Sequence, residues 1–114
     1  MSNDITRLRH MLNAAKEAIK LAEGKSRRDI ENERVLNLAL VRLFEVAGEA
    51  ANRVSNVCQR KYPAIPWLRI TGMRNRLIHG YDSVDFEILC RTITEDLPPL
   101  VAELEKAVSS EERL

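Results

Sequence analysis

The segment Met73-Arg-Asn-Arg-Leu-Ile-His-Gly-Tyr81 sets two arginines, an amide, a histidine and a tyrosine within nine positions. His79 can act as a general base or general acid, because imidazole has an unperturbed pKa close to working pH. Arg74 and Arg76 stay protonated, so either can hold a phosphate and offset charge developing in a transition state. Asn75 lies four residues before His79, and on a helix the two share a face, where the amide can orient the imidazole or bond a phosphate oxygen. On a straight helix Arg74 and His79 are about 140° apart around the axis, whereas Arg76 sits closer to His79's face. Three arrangements remain open: the helix ends or bends before His79, Arg74 reaches the His79 of a second chain, or Arg76 does the phosphate work.

Taken singly, these residues have plainer explanations. His79 alone reads as a C-cap histidine favoured by the helix dipole, and Tyr81 as a helix-end tyrosine with its ring in the core. His10, among charged residues of a first helix, reads as a surface residue. Cys58 and Cys90 lie 32 positions apart with no CxxC or Cys/His cluster. That spacing suits neither a zinc site nor a disulfide framework, so the two are expected to fill core gaps, and no metal or cofactor is expected.

The charge around the segment is uneven. Of 18 basic and 17 acidic residues, giving a formal charge of +1, residues 51–81 hold Arg53, Arg60, Lys61, Arg69, Arg74 and Arg76 and no Asp or Glu. Residues 82–114 reverse this, with nine acids against three basic residues. A local field of this kind can gather a polyanion although the whole chain is nearly neutral. Clustering on solvated helix faces is the competing explanation, and for Arg53, Arg60, Lys61 and Arg69 it is at least as good.

The elements that position these side chains read as helices. The length of 114 residues with 45% hydrophobic and 31% charged residues suits one globular domain, 1–114, and 4% aromatics with four glycines is low for an all-β chain. Ile5, Leu8, Leu12, Ala15, Ile19 and Ala22 mark a first helix stopped by Gly24, and Ser26 with Asp29 resembles a capping box. Leu36, Leu40, Leu43, Ala47, Ala50, Val54 and Val57 predict one long helix that runs until Tyr62 and Pro63. A third helix is expected from Trp67 to about Ile78, with Gly80 as its left-handed end and Trp67 as a packing anchor. The last begins near Ser83 or Asp85 and carries Phe86, Leu89, Ile93, Leu97, Leu100, Leu104 and Ala107, with a kink or break at Pro98 and Pro99. No strand pattern competes. The expected fold is an all-α, up-and-down bundle of four to five helices. No apolar leader or run of ~20 apolar residues is present, which points to a cytoplasmic protein.

RNRLIH resembles the RxxxxH motif of HEPN domains, and HGY extends it to the RxxxxHxY form of HepT-like toxins. Gly48-Glu49-Ala50, Ile65-Pro66-Trp67 and Asp96-Leu97-Pro98 also resemble HepT-like segments in their usual order, so the likeness covers about residues 1–108. The resemblance implies a HEPN bundle acting as a homodimer with both motifs facing one cleft. It further implies a metal-independent endoribonuclease toxin paired with a nucleotidyltransferase antitoxin. Arg74, Asn75 and His79 would be catalytic, Arg76, Arg69 and Arg53 would assist RNA binding, and Tyr81 would receive AMP from the antitoxin. A 2'-OH attack needs a base, an acid and a cation, and a two-fold dimer supplies the second histidine. AMP two residues from His79 would place an anion and a base where the RNA backbone binds. Glu49 has no assigned chemistry beyond pairing with a motif arginine or packing between helices. Two other readings compete: a non-catalytic HEPN module that binds nucleotides or partners a nucleotidyltransferase, and a purely structural helical dimer.

Overall fold

The computed structural model describes residues 3–79 and 83–114. Among these, eight α-helices are α1 (Asp4–Ala22), α2 (Arg27–Asn32), α3 (Arg34–Asn52), α4 (Asn56–Lys61), α5 (Trp67–Thr71), α6 (Met73–Leu77), α7 (Phe86–Arg91) and α8 (Leu97–Glu112). A π-turn at Thr92–Asp96 joins α7 to α8. The fold is all-α as expected, with α1 packed against both α3 and α8, but the expected rods are divided more finely.

α1 buries Leu8, Met11, Ala15 and Ala18, and Gly24 follows at φ +75°, a left-handed conformation that costs a residue without Cβ little. The Ser26 capping box forms as read: Ser26 Oγ accepts from the Asp29 N–H, and the Asp29 carboxylate accepts from the Ser26 N–H.

The long helix ends at Asn52 instead of reaching Tyr62. Ser55 caps a new helix by accepting from the Cys58 N–H at 3.1 Å. Its own N–H and hydroxyl donate to the carboxylate of Asp4 at 2.8 and 2.6 Å. Two polar anchors thus fix the break, and the stripe loses Val57, which is 62% exposed while Cys58 turns inward. Trp67 is half-buried and its indole N–H donates to the carbonyls of Gln59 and Tyr62, both at 3.1 Å, which makes it the packing anchor expected.

The third helix is interrupted at Gly72 and stops at Leu77, not Ile78. Ile78 is extended (φ −109°, ψ 120°). It begins a short antiparallel pair, β1 (Ile78–His79) with β2 (Ser83–Val84), in register Ile78↔Val84 and His79↔Ser83. This corrects the expectation of helix to about Ile78, within a fold that is all-α as expected. The Asp85 N–H, donating to the Leu77 carbonyl at 2.7 Å, closes the hairpin base against helix continuation. Gly80, expected as the left-handed helix end, lies outside the described residues. Asp85 is the N-cap of α7, accepting from the Ile88 N–H at 3.0 Å.

At Pro98 and Pro99 the chain does not break. The π-turn precedes them, with the Leu97 N–H donating to the Thr92 carbonyl five residues back. The prolines follow at the start of α8, where the wide turn accommodates residues that lack an N–H.

The core forms two clusters. One joins Leu8, Met11, Ala51, Val54, Cys58 and Leu104; the other joins Ala18, Leu40, Phe44, Met73, Leu77, Leu89 and Leu97. Cys90 is half-buried beside the second. Among the described residues no helix is long and apolar enough to cross a membrane.

Candidate active site

Arg74 lies in the first turn of α6, and its Nε–H donates to Glu45 Oε2 of α3 at 3.0 Å. The side chain of Arg74 is 63% exposed and that of Glu45 only 28%. The acid is therefore the inner, fixed member and the guanidinium the outer one. Their meeting depends on how closely α3 approaches α5. A Cβ on Gly48 would lie 3.1 Å from the Ile70 carbonyl oxygen, so glycine lets the two backbones touch one turn beyond Glu45. Around the pair is a polar cleft lined by Arg42, Glu45, Glu49, Asn52, Thr71 and Arg74.

The remaining motif residues are distributed differently. Asn75 is exposed on α6. His79 is not on that helix: its backbone belongs to β1, so the shared helical face expected for Asn75 and His79 does not form. The helix ends before His79, which removes the 140° objection to Arg74 because the two no longer share one axis. Arg76 is partly buried, with its Nη1 shielded from solvent and without a hydrogen-bond partner among the described residues. Tyr81 lies outside the described residues.

Of the other arginines, Arg69 pairs with Asp96 at 3.1 Å. Both line an apolar cavity of about 90 Å³ with Ala14, Ala18, Phe44 and Met73, whereas neither lines the polar cleft. Arg53 pairs with Glu49 at 3.7 Å, one turn apart on and just past α3. Glu49 thus meets Arg53, and the acid that meets a motif arginine is Glu45. His10 is exposed as expected.

The family described as ribonuclease HepT-like matches residues 11–107. The chain belongs to the HepT-like ribonuclease family. Its relatives include a protein from Methanocaldococcus jannaschii named as an inferred RNase, 31% identical over 83% of this chain and 87% of the relative. A protein from Thermococcus cleftensis named as a probable ribonuclease HepT is 37% identical over 79% of this chain and 86% of the relative. An inferred RNase from Caldanaerobacter subterraneus is 33% identical over 91% and 93%. No solved structure gives a significant match.

In this HepT-like chain the arrangement supplies a fixed, exposed cation at the edge of a polar cleft. The contact to Glu45 uses one of the five N–H donors of Arg74, and the four on its Nη atoms are not committed to any described residue. Those donors match the geometry of a phosphate's paired oxygens. Sequence reasoning missed Glu45 and Arg42. The available signal was their position on the stripe Arg42, Glu45, Glu49, which follows the 3, 4 spacing of one helix face opposite the apolar one.

Proposed function

We propose that residues 1–114 form one HEPN domain that works in the cytoplasm as a metal-independent endoribonuclease toxin. His79, as base, takes the proton of a ribose 2'-OH. The 2'-oxygen attacks the adjacent phosphorus, the bond to the 5'-oxygen breaks, and the 5'-oxygen receives a proton from an acid on the opposite side. The products are a 2',3'-cyclic phosphate and a 5'-hydroxyl. Arg74 holds the phosphate and offsets the charge that builds on its oxygens, and Asn75 bonds a phosphate oxygen. The observation that carries this reading is the family match spanning a complete Arg74-to-His79 motif, with Arg74 presented at a polar cleft.

The reading includes a homodimer, in which the His79 of one protomer is the base and that of its partner the acid. Val35 and Leu38 support it, being 82% and 50% exposed in the first turns of α3, before the polar cleft begins at Arg42. The regulatory partner is a nucleotidyltransferase antitoxin that attaches AMP to the Tyr81 hydroxyl.

Purified protein and its His79→Ala variant, incubated with total RNA and tRNA in excess EDTA, test the nuclease. Cleavage by the wild type alone, with 2',3'-cyclic phosphate ends, is expected. Intact RNA in both, with the protein shown by mass to carry no AMP, would favour a non-catalytic nucleotide-binding or partner module.

A further inference from the structure

The polar cleft that holds Arg74 does not end at α3. It shares Arg42 and Glu49 with a shallower depression between α1 and α3, lined by Arg7, His10, Arg42, Val46, Glu49 and Arg53. The two hollows therefore meet along these side chains. Between Arg42 and Arg53 the surface advances by 11 residues, about 16 Å at helical rise. Along it stand four guanidinium groups, those of Arg74, Arg42, Arg7 and Arg53, against two carboxylates. The carboxylates are engaged: Glu45 holds Arg74 and Glu49 holds Arg53. Arg7 and Arg42 form no ion pair among the described residues, and Arg42 lines both hollows.

We propose that Arg42 and Arg7 form a phosphate-binding track that leads the RNA backbone from the Arg74 site across α3 to α1. The proposal rests on the reading of Arg74 as the cation at the scissile phosphate. A polynucleotide presents a charge at every nucleotide along a line, and a row of arginines beside Arg74, unpaired among the described residues, suits that repeat. Contacts of this kind position the strand without reading its sequence. An acidic protein is the weaker match, because protein interfaces centre on buried apolar anchors, and Val46 is the one large apolar residue lining the shallower depression.

The test measures binding separately from cleavage. In a His79→Ala background, the affinity of the full-length protein for a fluorescent single-stranded RNA oligonucleotide is followed from low to high salt. Each lost phosphate contact reduces the log–log salt slope by about 0.7 and weakens binding roughly fivefold at 0.1 M salt, the factor that slope gives over one decade of salt. Arg42→Gln is expected to show one such step and Arg7→Gln/Arg42→Gln two. Arg91→Gln, in a hollow that shares no residue with either of these two, is expected to show none. Unchanged affinity and slope in the double variant, or an equal loss in Arg91→Gln, overturns the track. A changed oligomer mass by light scattering, with RNA affinity retained, also overturns it and assigns the face to a protein contact. If the wild type binds RNA with this arginine-dependent slope yet cuts nothing in EDTA, the nuclease reading fails and the track stands.

Discussion

Glu45 grips Arg74 by the side of its guanidinium, through Nε at 3.0 Å, and leaves the end of the group uncommitted. An arginine held this way loses little freedom when a phosphate arrives, because the anchor rather than the ligand fixes its rotamer. Glu45 is a positioning residue in this reading, and Arg74 the residue that touches substrate.

Glu45→Ala is expected to lower kcat for RNA cleavage by tenfold or more, since displacement of a catalytic group by about 1 Å can cost ~100-fold. Glu45→Gln retains an oxygen for the Nε–H and should recover most of the loss. A Glu45→Ala enzyme that binds RNA more tightly and cuts it faster would mean that Glu45 competes with the phosphate for Arg74.

His79→Ala should abolish cleavage and growth inhibition while leaving the oligomeric state unchanged, as read by light scattering. Arg74→Ala should reduce cleavage more than Arg76→Ala. The reverse ranking would make the partly buried Arg76 the phosphate ligand, and its unpartnered Nη1 the atom to follow.

Tyr81→Phe removes the acceptor oxygen for AMP and should keep the ribonuclease active. Co-expression with the nucleotidyltransferase should then give no AMP mass increment and no relief of toxicity. An unchanged increment would place the modification on another residue.

Ser55 serves two helices, capping α4 and donating to the buried carboxylate of Asp4. Ser55→Ala should cost about 1 to 2 kcal/mol in urea unfolding. Ser26→Ala, at the exposed start of α2, should cost no more than about 1 kcal/mol.

Burial pushes the Cys58 thiol up to about 11 from its ordinary 9.0, with Asp4 and Glu111 adding to the shift. The folded state therefore holds this proton more tightly than the unfolded chain. Its contribution is complete below pH 9 and is lost as pH rises toward 11. Urea unfolding from pH 7 to 10.5 should show this decline, and Cys58→Ala should flatten it. The native thiol should also react slowly with a disulfide reagent at pH 8.

Much of the helical order was legible in the chain. The Ser26 box, Gly24 and the Asp85 start depend on bonds between near neighbours, and such bonds leave a spacing in the sequence. The break after Asn52 was not legible, because it depends on Asp4, 51 residues from Ser55. The 3, 4 stripe continued through it to Val57, whose exposure shows that periodicity outlasted the helix. The motif's residue types pointed to Arg74 and His79, but the helix end at Leu77 and the pairing of β1 with β2 come from contacts beyond the segment. Glu45 escaped notice because its partner is 29 residues away.

The π-turn at Thr92–Asp96 amounts to one residue more than a regular helix would hold between α7 and α8. That residue sets the angular phase between two halves of the rod, so Leu89 meets the cluster around Met73 while Leu104 meets the one around Leu8. Deleting a single position there would turn everything from Leu97 onward by about 100°, swinging Leu104 and Ala107 out of their cluster. The bulge works as a spacer whose length is counted in residues. Among homologous chains, insertions and deletions should be scarcer between positions 92 and 96 than in the exposed turn at Gly24.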